Sequence, residues 1–478
     1  MFNKVENTIA QQLKQSVFQN RAALAIVLCI AFLLLYALVL GWNNYTVQNE
    51  NSTKYHDQSR EDWLQNPDKN PHRMAHYGNY AFRESETLSI FEPGLSSFFG
   101  TIIYLEAHKQ NSANFSEATA SSSMLRFGSI SVAFIIQMLL PILIFFIGYN
   151  TVASERENGT LKLILSQGVS WKHLLAGKIL GLFRVVMLVY IPLVLLLFAV
   201  WFCDQFFQFS ADSVLKLVVF VLIHFLYLLS FCVITTLISA FCTTSKKALI
   251  SLIGLWLLLF VILPRGTQAV GSYLYPAPSK IKFNTQIEND ILKIGDSHNP
   301  DDPHFKAIKD SLLLAHKVDS VQKLPFNYSG FLMTKGEKIS SSIYNKHLEK
   351  LLEIHKKQNR FLEIVSFVNP YIAIKNVSMG LSGTDYNSYI DFQKQAENYR
   401  YAMAQKMNGL QIKYISNDKS KPAKIDKKHW SDLQEFHYES KDFFAVLKNE
   451  IIAIIALLVW IGVLFISIKI AINKLKAI

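Results

Sequence analysis

Six long apolar runs restrict the folds open to this chain more than any other feature. A helix needs about 20 apolar residues to cross a hydrocarbon core about 30 Å thick, and the runs are almost free of charged residues. The fifth run is shorter and ends at Pro264. The sequence therefore predicts an all-α integral membrane protein with six transmembrane helices. We number them as spans 1 to 6, over residues 22–42, 128–149, 179–202, 214–241, 249–263 and 451–468.

Composition supports this class and excludes several others. Only 18% of the 478 residues are charged and 51% are hydrophobic, whereas soluble domains carry about 25% charged residues. An ordinary cytosolic enzyme, a disordered tail protein and a secreted disulfide scaffold are thereby excluded. The net charge is +12, but the basic residues are scattered over two compartments, so nucleic acid is not an expected partner.

Lysine and arginine near the ends of the spans predict the orientation of the chain. Basic residues collect on the cytoplasmic side of a membrane protein, and the loop after span 3 carries Asp204 and Asp212 but no basic residue. We therefore expect residues 1–21, 150–178 and 469–478, and hence both termini, in the cytoplasm. The basic residues of that side are Lys4, Lys14, Arg21, Arg156, Lys162, Lys172, Lys246, Lys247, Lys469, Lys474 and Lys476.

Two large segments, residues 43–127 and 264–450, are then left outside the cytoplasm. In the second segment, apolar residues recur at helical spacing over residues 335–365 and again over residues 385–415. We expect one mainly helical extracytoplasmic domain, built from the loop between spans 1 and 2 and the loop between spans 5 and 6.

Motifs for nucleotide binding and hydrolysis are missing from the sequence. There is no GxxxxGK[ST], the loop that cradles ATP phosphates, and no HExxH or GxSxG. We therefore expect no enzymatic activity and no cofactor in this chain. Any energy from ATP must come from another polypeptide.

The strongest local signal lies between spans 2 and 3. Two acids precede a Gly-Thr pair, and an apolar stretch follows. This pattern is typical of a short amphipathic helix on the membrane surface, with a glycine that permits a sharp turn and charged groups that dock on a cytoplasmic partner. A solvated loop between helices is the competing interpretation. The candidate coupling residues are Glu155, Arg156, Glu157, Gly159, Thr160 and Leu161.

The stretch over residues 155–181 resembles the coupling region of permease subunits of type-2 ABC exporters. The usual pattern is E-(R)-E-x-G-T-L-x-x-L-L-S, followed by G-K at the start of the next helix. It is matched by Glu155, Glu157, Gly159, Thr160, Leu161, Leu165, Ser166, Gly177 and Lys178.

Motifs in the two external segments resemble a bacterial subgroup of these permeases, which bears a large extracytoplasmic domain of unknown function. One departure is Glu92, where the subgroup's FDPG-like motif has Asp; a carboxylate is retained. The motifs lie at residues 75–78, 80–82, 91–94, 105–111, 366–371, 381–385 and 392–397.

The resemblance implies a function and partners. Such permeases generally have six spans, pair as homodimers or heterodimers, and work with two cytoplasmic ATPase subunits that bind ATP and Mg. It implies an exporter permease in the bacterial cytoplasmic (inner) membrane, in contact with lipid, whose large domain faces the periplasm or exterior. A lipid, peptide, polysaccharide, drug-like amphiphile or metal-linked factor remains open as cargo.

A second class of function also stays open. In this alternative, the chain is a non-transporting scaffold or sensor, and strokes of the ATPase move the external domain to act on an envelope partner. Cargo-stimulated ATPase activity would favour transport, whereas an envelope protein bound to the external domain would favour the scaffold.

Histidines in the first external segment are weak candidates for a metal site. His72 and His76 are four residues apart, so a helix would place both imidazoles on one face, and Glu106 with His108 follows. The favoured interpretation has no metal: surface histidines and a buried Glu106 that holds loops together.

Polar residues within the spans deserve a functional hypothesis. We expect Arg184 to extend its side chain to the cytoplasmic surface, and His224 to bond across helices or line a cargo path. Gln137 lies before Pro141 and is expected to satisfy a backbone carbonyl freed by that proline. Two glycines at the start of span 3 predict close helix packing: Gly177 and Gly181.

Overall fold

A computed structural model describes residues 3–110, 130–204, 210–297, 299, 301–418 and 420–475. The described chain is mostly helical, and six of its helices are long and apolar enough to cross a membrane, which confirms the predicted fold class. Residues 111–129 and 476–478, which include the first two residues of predicted span 2 and Lys476, lie outside the described residues. The six helices are Arg21–Leu64, Val132–Glu157, Trp171–Asp204, Ala211–Phe241, Ser245–Leu274 and Ile451–Lys474.

Span 1 is longer than predicted, because its helix does not end with the apolar run at residue 42. It begins after Asn20, whose side chain accepts hydrogen bonds from the first turn, and continues to Leu64. At 1.5 Å per residue, its 44 residues make a rod about 66 Å long. The polar end of this rod is held by Trp63, which is fully buried and donates to the carbonyl of Trp430 at 3.0 Å.

The prediction that span 5 ends at Pro264 is wrong. The helix runs through Leu258–Ile262 as one widened π turn and continues as Leu263–Leu274. Such a turn accommodates a proline in a membrane helix without ending it. Span 2 likewise has a widened turn, at Ile135–Leu139, just before Pro141.

The N-terminal residues form an amphipathic helix, Lys4–Gln19, that packs on span 3. A Cβ placed on Gly177 would lie 2.7 Å from Cβ of Ile9, and one on Gly181 would lie 3.0 Å from Cα of Ala10. The two glycines are therefore used for close packing within the chain.

We call the region at one end of the six helices the head; it comprises the described parts of residues 43–110 and 275–449. Two of its helices, Tyr328–Val365 and Tyr386–Tyr414, match the two amphipathic patterns, and Asp385 caps the second through the N–H groups of residues 387 and 388. The helices are Pro71–Tyr77, Ser96–Phe99, Lys280–Ile294, Pro303–Ala315, Tyr328–Val365, Pro370–Leu381, Tyr386–Tyr414, Lys428–Ser431 and Phe443–Asn449, with 3₁₀ turns at Thr87–Ile90 and Val321–Lys323.

The head also contains one small sheet. Strands β1 (Asn79–Phe82) and β2 (Ile102–Leu105) pair antiparallel, with Asn79 opposite Leu105. The sheet packs in one core with side chains from both external segments, so the two segments form a joint head. That core includes Trp63, Met74, Ala81, Ile103, Phe392, Met403, Met407 and Trp430.

Two helices of the second external segment pack on the membrane bundle: Pro370–Leu381, and Phe443–Asn449 through Phe443 and Val446. Pro370–Leu381 packs against spans 4 and 6, and its side chains Ala373, Ile374 and Val377 belong to the core of the membrane bundle. The expected division at residues 264–450 therefore does not separate head from bundle, because this helix is apolar enough to be buried among the spans.

Candidate functional site

Two short helices, instead of the single helix predicted, lie between the apolar part of span 2 and span 3, and the first of them is the end of the Val132–Glu157 helix. They are Ala153–Glu157 and Thr160–Ser166, and Gly159 between them has φ of +76°. Apart from its chain neighbours, no atom of the described residues lies within 4 Å of where a Cβ would be. Glycine is thus required here by the left-handed backbone and not by packing. We call residues 153–166 the coupling segment.

Charged side chains of the coupling segment bond back to three spans, and Glu157 at the turn is exposed as well. Glu155 pairs with Lys178 of span 3. The guanidinium of Arg156 donates to the carbonyl of Ala240 in span 4 at 2.9 Å. Glu157 accepts from the N–H of Ser245, at the start of span 5, at 3.0 Å. Charge here attaches the segment to the bundle, since each group satisfies a partner on a different helix.

Ser239 is a second attachment that sequence reasoning missed. Its side chain is fully buried in span 4, accepts from the N–H groups of Val152 and Ala153 at 3.0 and 3.1 Å, and donates to the carbonyl of Tyr149 at 2.7 Å. The sequence signal was faint, because a lone serine in an apolar helix commonly bonds within its own helix.

The second helix of the coupling segment has one buried and one exposed apolar side. Leu161 is fully buried, whereas Leu163 is 60% exposed, and Lys162 between them is also exposed. Thr160 stabilises the turn by donating to the carbonyl of Glu155 at 3.2 Å. The exposed Leu163 side chain therefore lies on a segment whose opposite side is packed against the bundle.

A buried polar cluster joins head and bundle at Glu92. This fully buried carboxylate accepts from the amide of Gln137 at 3.1 Å and from the hydroxyl of Ser378 at 3.0 Å. The same amide donates to Nε2 of His224 at 3.2 Å, while Nδ1 of His224 donates to the carbonyl of Phe220 at 2.8 Å. Burial raises the pKa of Glu92. His224 therefore bonds across helices, as one of the two expectations had it.

The role predicted for Gln137 is taken by other side chains. Tyr227 donates to the carbonyl of Gln137 at 2.7 Å, and Trp256 donates to that of Met138 at 3.1 Å. In span 5, Asn369 donates to the carbonyl of Leu259 at 2.6 Å. Carbonyls in the widened turns are thus satisfied by neighbouring elements, which leaves the Gln137 side chain for Glu92 and His224.

Arg184 bonds to the N-terminal helix. Its guanidinium donates to the side chain of Asn7 at 2.7 Å, so it ties the N-terminal helix to span 3. His173 does the same one turn into span 3, with Nδ1 2.9 Å from the carboxylate of Glu6. Both bonds lie on the helix face that carries the close-packed glycines.

Three of the four metal candidates come together in the head. One ligand atom from each of His72, His76 and His108 lies within 4.8 Å of the others. Glu106 is not in this group; its carboxylate lies 3.8 Å from Nζ of Lys109. The carboxylate that reaches the group is that of Glu337, 3.1 Å from Nδ1 of His108.

Glu337 belongs to a buried charge network that sequence reasoning missed. Arg400 is fully buried and donates to Glu337 at 2.7 Å and to Glu397 at 2.7 and 2.8 Å. Burial works to raise the pKa of Glu337, but the bonds to His108 and Arg400 outweigh it and hold that pKa below its usual value. One signal was present in the sequence: Arg400 lies four residues after Ala396, on the apolar face of its helix.

Comparisons with known proteins agree with this architecture. The model of the ABC-2 family transporter protein matches residues 85–274, which include spans 2 to 5 and the coupling segment. The model of a domain of unknown function, DUF3526, matches residues 280–439, which form most of the head. A search of curated proteins finds no match. Residues 85–274 are thus similar to the ABC-2 transporter family, and the architecture is consistent with an ABC-2 permease that carries an extra domain of unknown function.

Proposed function

We propose that this permease exports a substrate across the bacterial cytoplasmic membrane, driven by ATP hydrolysis in a separate subunit. The observation that carries the proposal is the coupling segment. It bonds to span 3 through Lys178, to span 4 through Ser239 and to span 5 through Ser245. A displacement of this segment would therefore act on three spans together, whereas a solvated loop would move without them.

The exposed side of the segment suits a partner subunit. Leu163 is 60% exposed on a short helix that is anchored by the buried Leu161. A groove on an ATPase subunit could receive this side chain, and the ATPase would supply the ATP and Mg that no motif of this chain binds. A second permease subunit and membrane lipid would cover the apolar faces of the spans.

The proposed orientation places the coupling segment and both termini in the cytoplasm and the head in the periplasm or exterior. Basic residues mark the end of the bundle that carries the coupling segment, for example Arg156, Lys172 and Lys246. At the head end, Asp204 accepts hydrogen bonds from Tyr45 and Thr87.

A second candidate function is favoured by the length of span 1. Its helix continues without a break from the bundle to Trp63 in the core of the head. A continuous helix transmits displacement as a rod, so strokes of the ATPase would move the head even without cargo. This is the scaffold or sensor alternative, in which the head acts on an envelope partner.

The coupling proposal predicts the largest loss of function at two residues. Gly159→Pro cannot adopt the positive φ, and Glu155→Lys places two cations together at Lys178. Both variants should abolish the ATPase stimulation of the P-loop subunit that co-purifies with the permease, while membrane levels stay unchanged. The measurement is ATP turnover of the complex in proteoliposomes.

The matched control is Gly254→Ala, which also meets no atom within 4 Å but lies in a span outside the coupling segment. It should keep full stimulation. Normal permease-stimulated ATP turnover in both coupling variants would contradict the proposal. Cargo added to the same proteoliposomes separates the two functions, since only a transporter should show cargo-stimulated turnover.

A further inference from the structure

We propose that His72, His76 and His108 bind one divalent transition-metal ion, with Zn²⁺ the best fit, at the surface of the head. Their ligand atoms lie within 4.8 Å of one another, and the Nε2 atoms of His72 and His76 are 3.1 Å apart. In a tetrahedral zinc site, with Zn–N about 2.0–2.1 Å, nitrogen ligands are about 3.3 Å apart. Small side-chain rotations would therefore complete the site.

The backbone conformation brings the three imidazole rings close together. Asn70 caps the helix Pro71–Tyr77 by accepting from the N–H of His72 at 2.9 Å, and His76 follows one turn later on the same face. His108 has φ of +65°, a left-handed conformation that costs energy for a residue with a Cβ. That conformation directs its ring to within 5.4 Å of both other imidazoles, centroid to centroid.

Metal-binding histidines usually donate a hydrogen bond from their other ring nitrogen to a carboxylate or carbonyl, and His108 has such a carboxylate partner. Nδ1 of His108 lies 3.1 Å from Glu337, so Nε2 is the ring nitrogen left to face the metal. Glu337 is itself fixed by Arg400 at 2.7 Å, and both side chains are fully buried. The network belongs to helices Tyr328–Val365 and Tyr386–Tyr414, so the contact between His108 and Glu337 would connect the metal site to the domain of unknown function.

The donor set selects the class of metal. Three imidazoles suit Zn²⁺, Cu²⁺ or Ni²⁺, whereas Mg²⁺ and Ca²⁺ require oxygen ligands. His76 is exposed and the other two histidines are half-buried. Three protein ligands with an open side leave a fourth position for water or another small ligand. The inference is independent of the transport proposal, because it rests only on residues of the head.

The test uses the full chain in detergent, purified without a histidine tag and stripped with EDTA. Titration with Co²⁺ or Zn²⁺ should show one ion per chain, and Co²⁺ should give the visible absorption of a tetrahedral site. His76→Ala should weaken binding at least about tenfold, and because the side chain is exposed, the change should leave the fold intact. His316→Ala, an exposed histidine elsewhere in the head, is the matched control and should bind like the unmodified chain.

Glu337→Gln tests the support of His108 separately. It should lower affinity about 10–100-fold, because outer carboxylates orient the ligand and raise its basicity. The proposal is overturned by an unmodified chain that binds no stoichiometric ion, or by His76→Ala that binds as tightly as the unmodified chain. Equal affinity in Glu337→Gln would overturn the supporting role of the carboxylate.

Discussion

The coupling segment and the Glu92 cluster attach polar groups to the same bundle in opposite ways. In the coupling segment, Glu157 and Arg156 bond to backbone groups at the ends of spans, and the neighbouring Leu163 is exposed. In the cluster, Glu92 and His224 are fully buried, and each bonds to side chains on other elements. One arrangement has an open side for a partner, and the other is closed.

This difference indicates which region can bind a partner and which holds the fold. A closed cluster is sensitive to the loss of any member, because each lost acceptor leaves a buried donor unsatisfied. Substitutions in the open segment should change the stability of the protein little, but those that alter its geometry should abolish its function. The expected effect of substitutions on stability is therefore larger in the closed cluster than in the open segment.

Glu92→Ala should have the largest effect on stability. It removes the acceptor for Gln137, Ser378 and the N–H of Gly94, and it leaves a cavity. We expect a cost of about 3–5 kcal/mol, seen as a lower unfolding temperature in detergent. Glu92→Gln should cost only about 1 kcal/mol, because burial already favours the neutral carboxyl.

The control for this pair is Glu84→Ala, an exposed carboxylate in the same segment, which should leave the unfolding temperature unchanged. If Glu92→Ala were as stable as the unmodified chain, the closed cluster would not hold head and bundle together.

Glu450 should show a smaller effect that depends on pH. Burial, Asp385 and Glu363 raise its pKa to about 8 from the ordinary 4.5. The folded state therefore binds the proton more tightly, so stability falls as pH rises from about 4.5 and the loss is complete above about 8. Glu450→Gln should stabilise the protein by about 1–3 kcal/mol above this range and have no effect below it.

Unfolding temperatures across this pH range check the prediction, with the exposed Glu349→Gln as the control. A constant difference between Glu450→Gln and the unmodified chain at all pH values would mean that Glu450 does not titrate in this range.

The features that the sequence predicted are those set by neighbouring residues. Six apolar runs defined six helices, and the pattern around Gly159 located the turn of the coupling segment. Contacts between residues far apart in the sequence could not be predicted. Glu92 and Ser378 are 286 positions apart, and Glu337 and Arg400 are 63 apart, so no local periodicity records them.

The directions in which side chains point could not be predicted from the sequence either. The sequence suggested that Glu155 and Glu157 face a partner but did not reveal their bonds to the bundle: Glu155 pairs with Lys178, and Glu157, although exposed, accepts from Ser245. Similarly, the apolar helix Pro370–Leu381 was assigned to the head, because its sequence does not specify which core it joins.

The central claim is that an ATPase subunit docks on the exposed side of the coupling segment. Incorporation of a photo-crosslinking phenylalanine analogue at Leu163, in the cells that make this protein, tests it most directly. Leu314 is the control, since it is 81% exposed in the head while Leu163 is 60% exposed in the coupling segment. We predict a covalent adduct from position 163, and none from position 314, with a chain that carries the GxxxxGK[ST] motif. An adduct with such a chain from position 314 alone would contradict the claim.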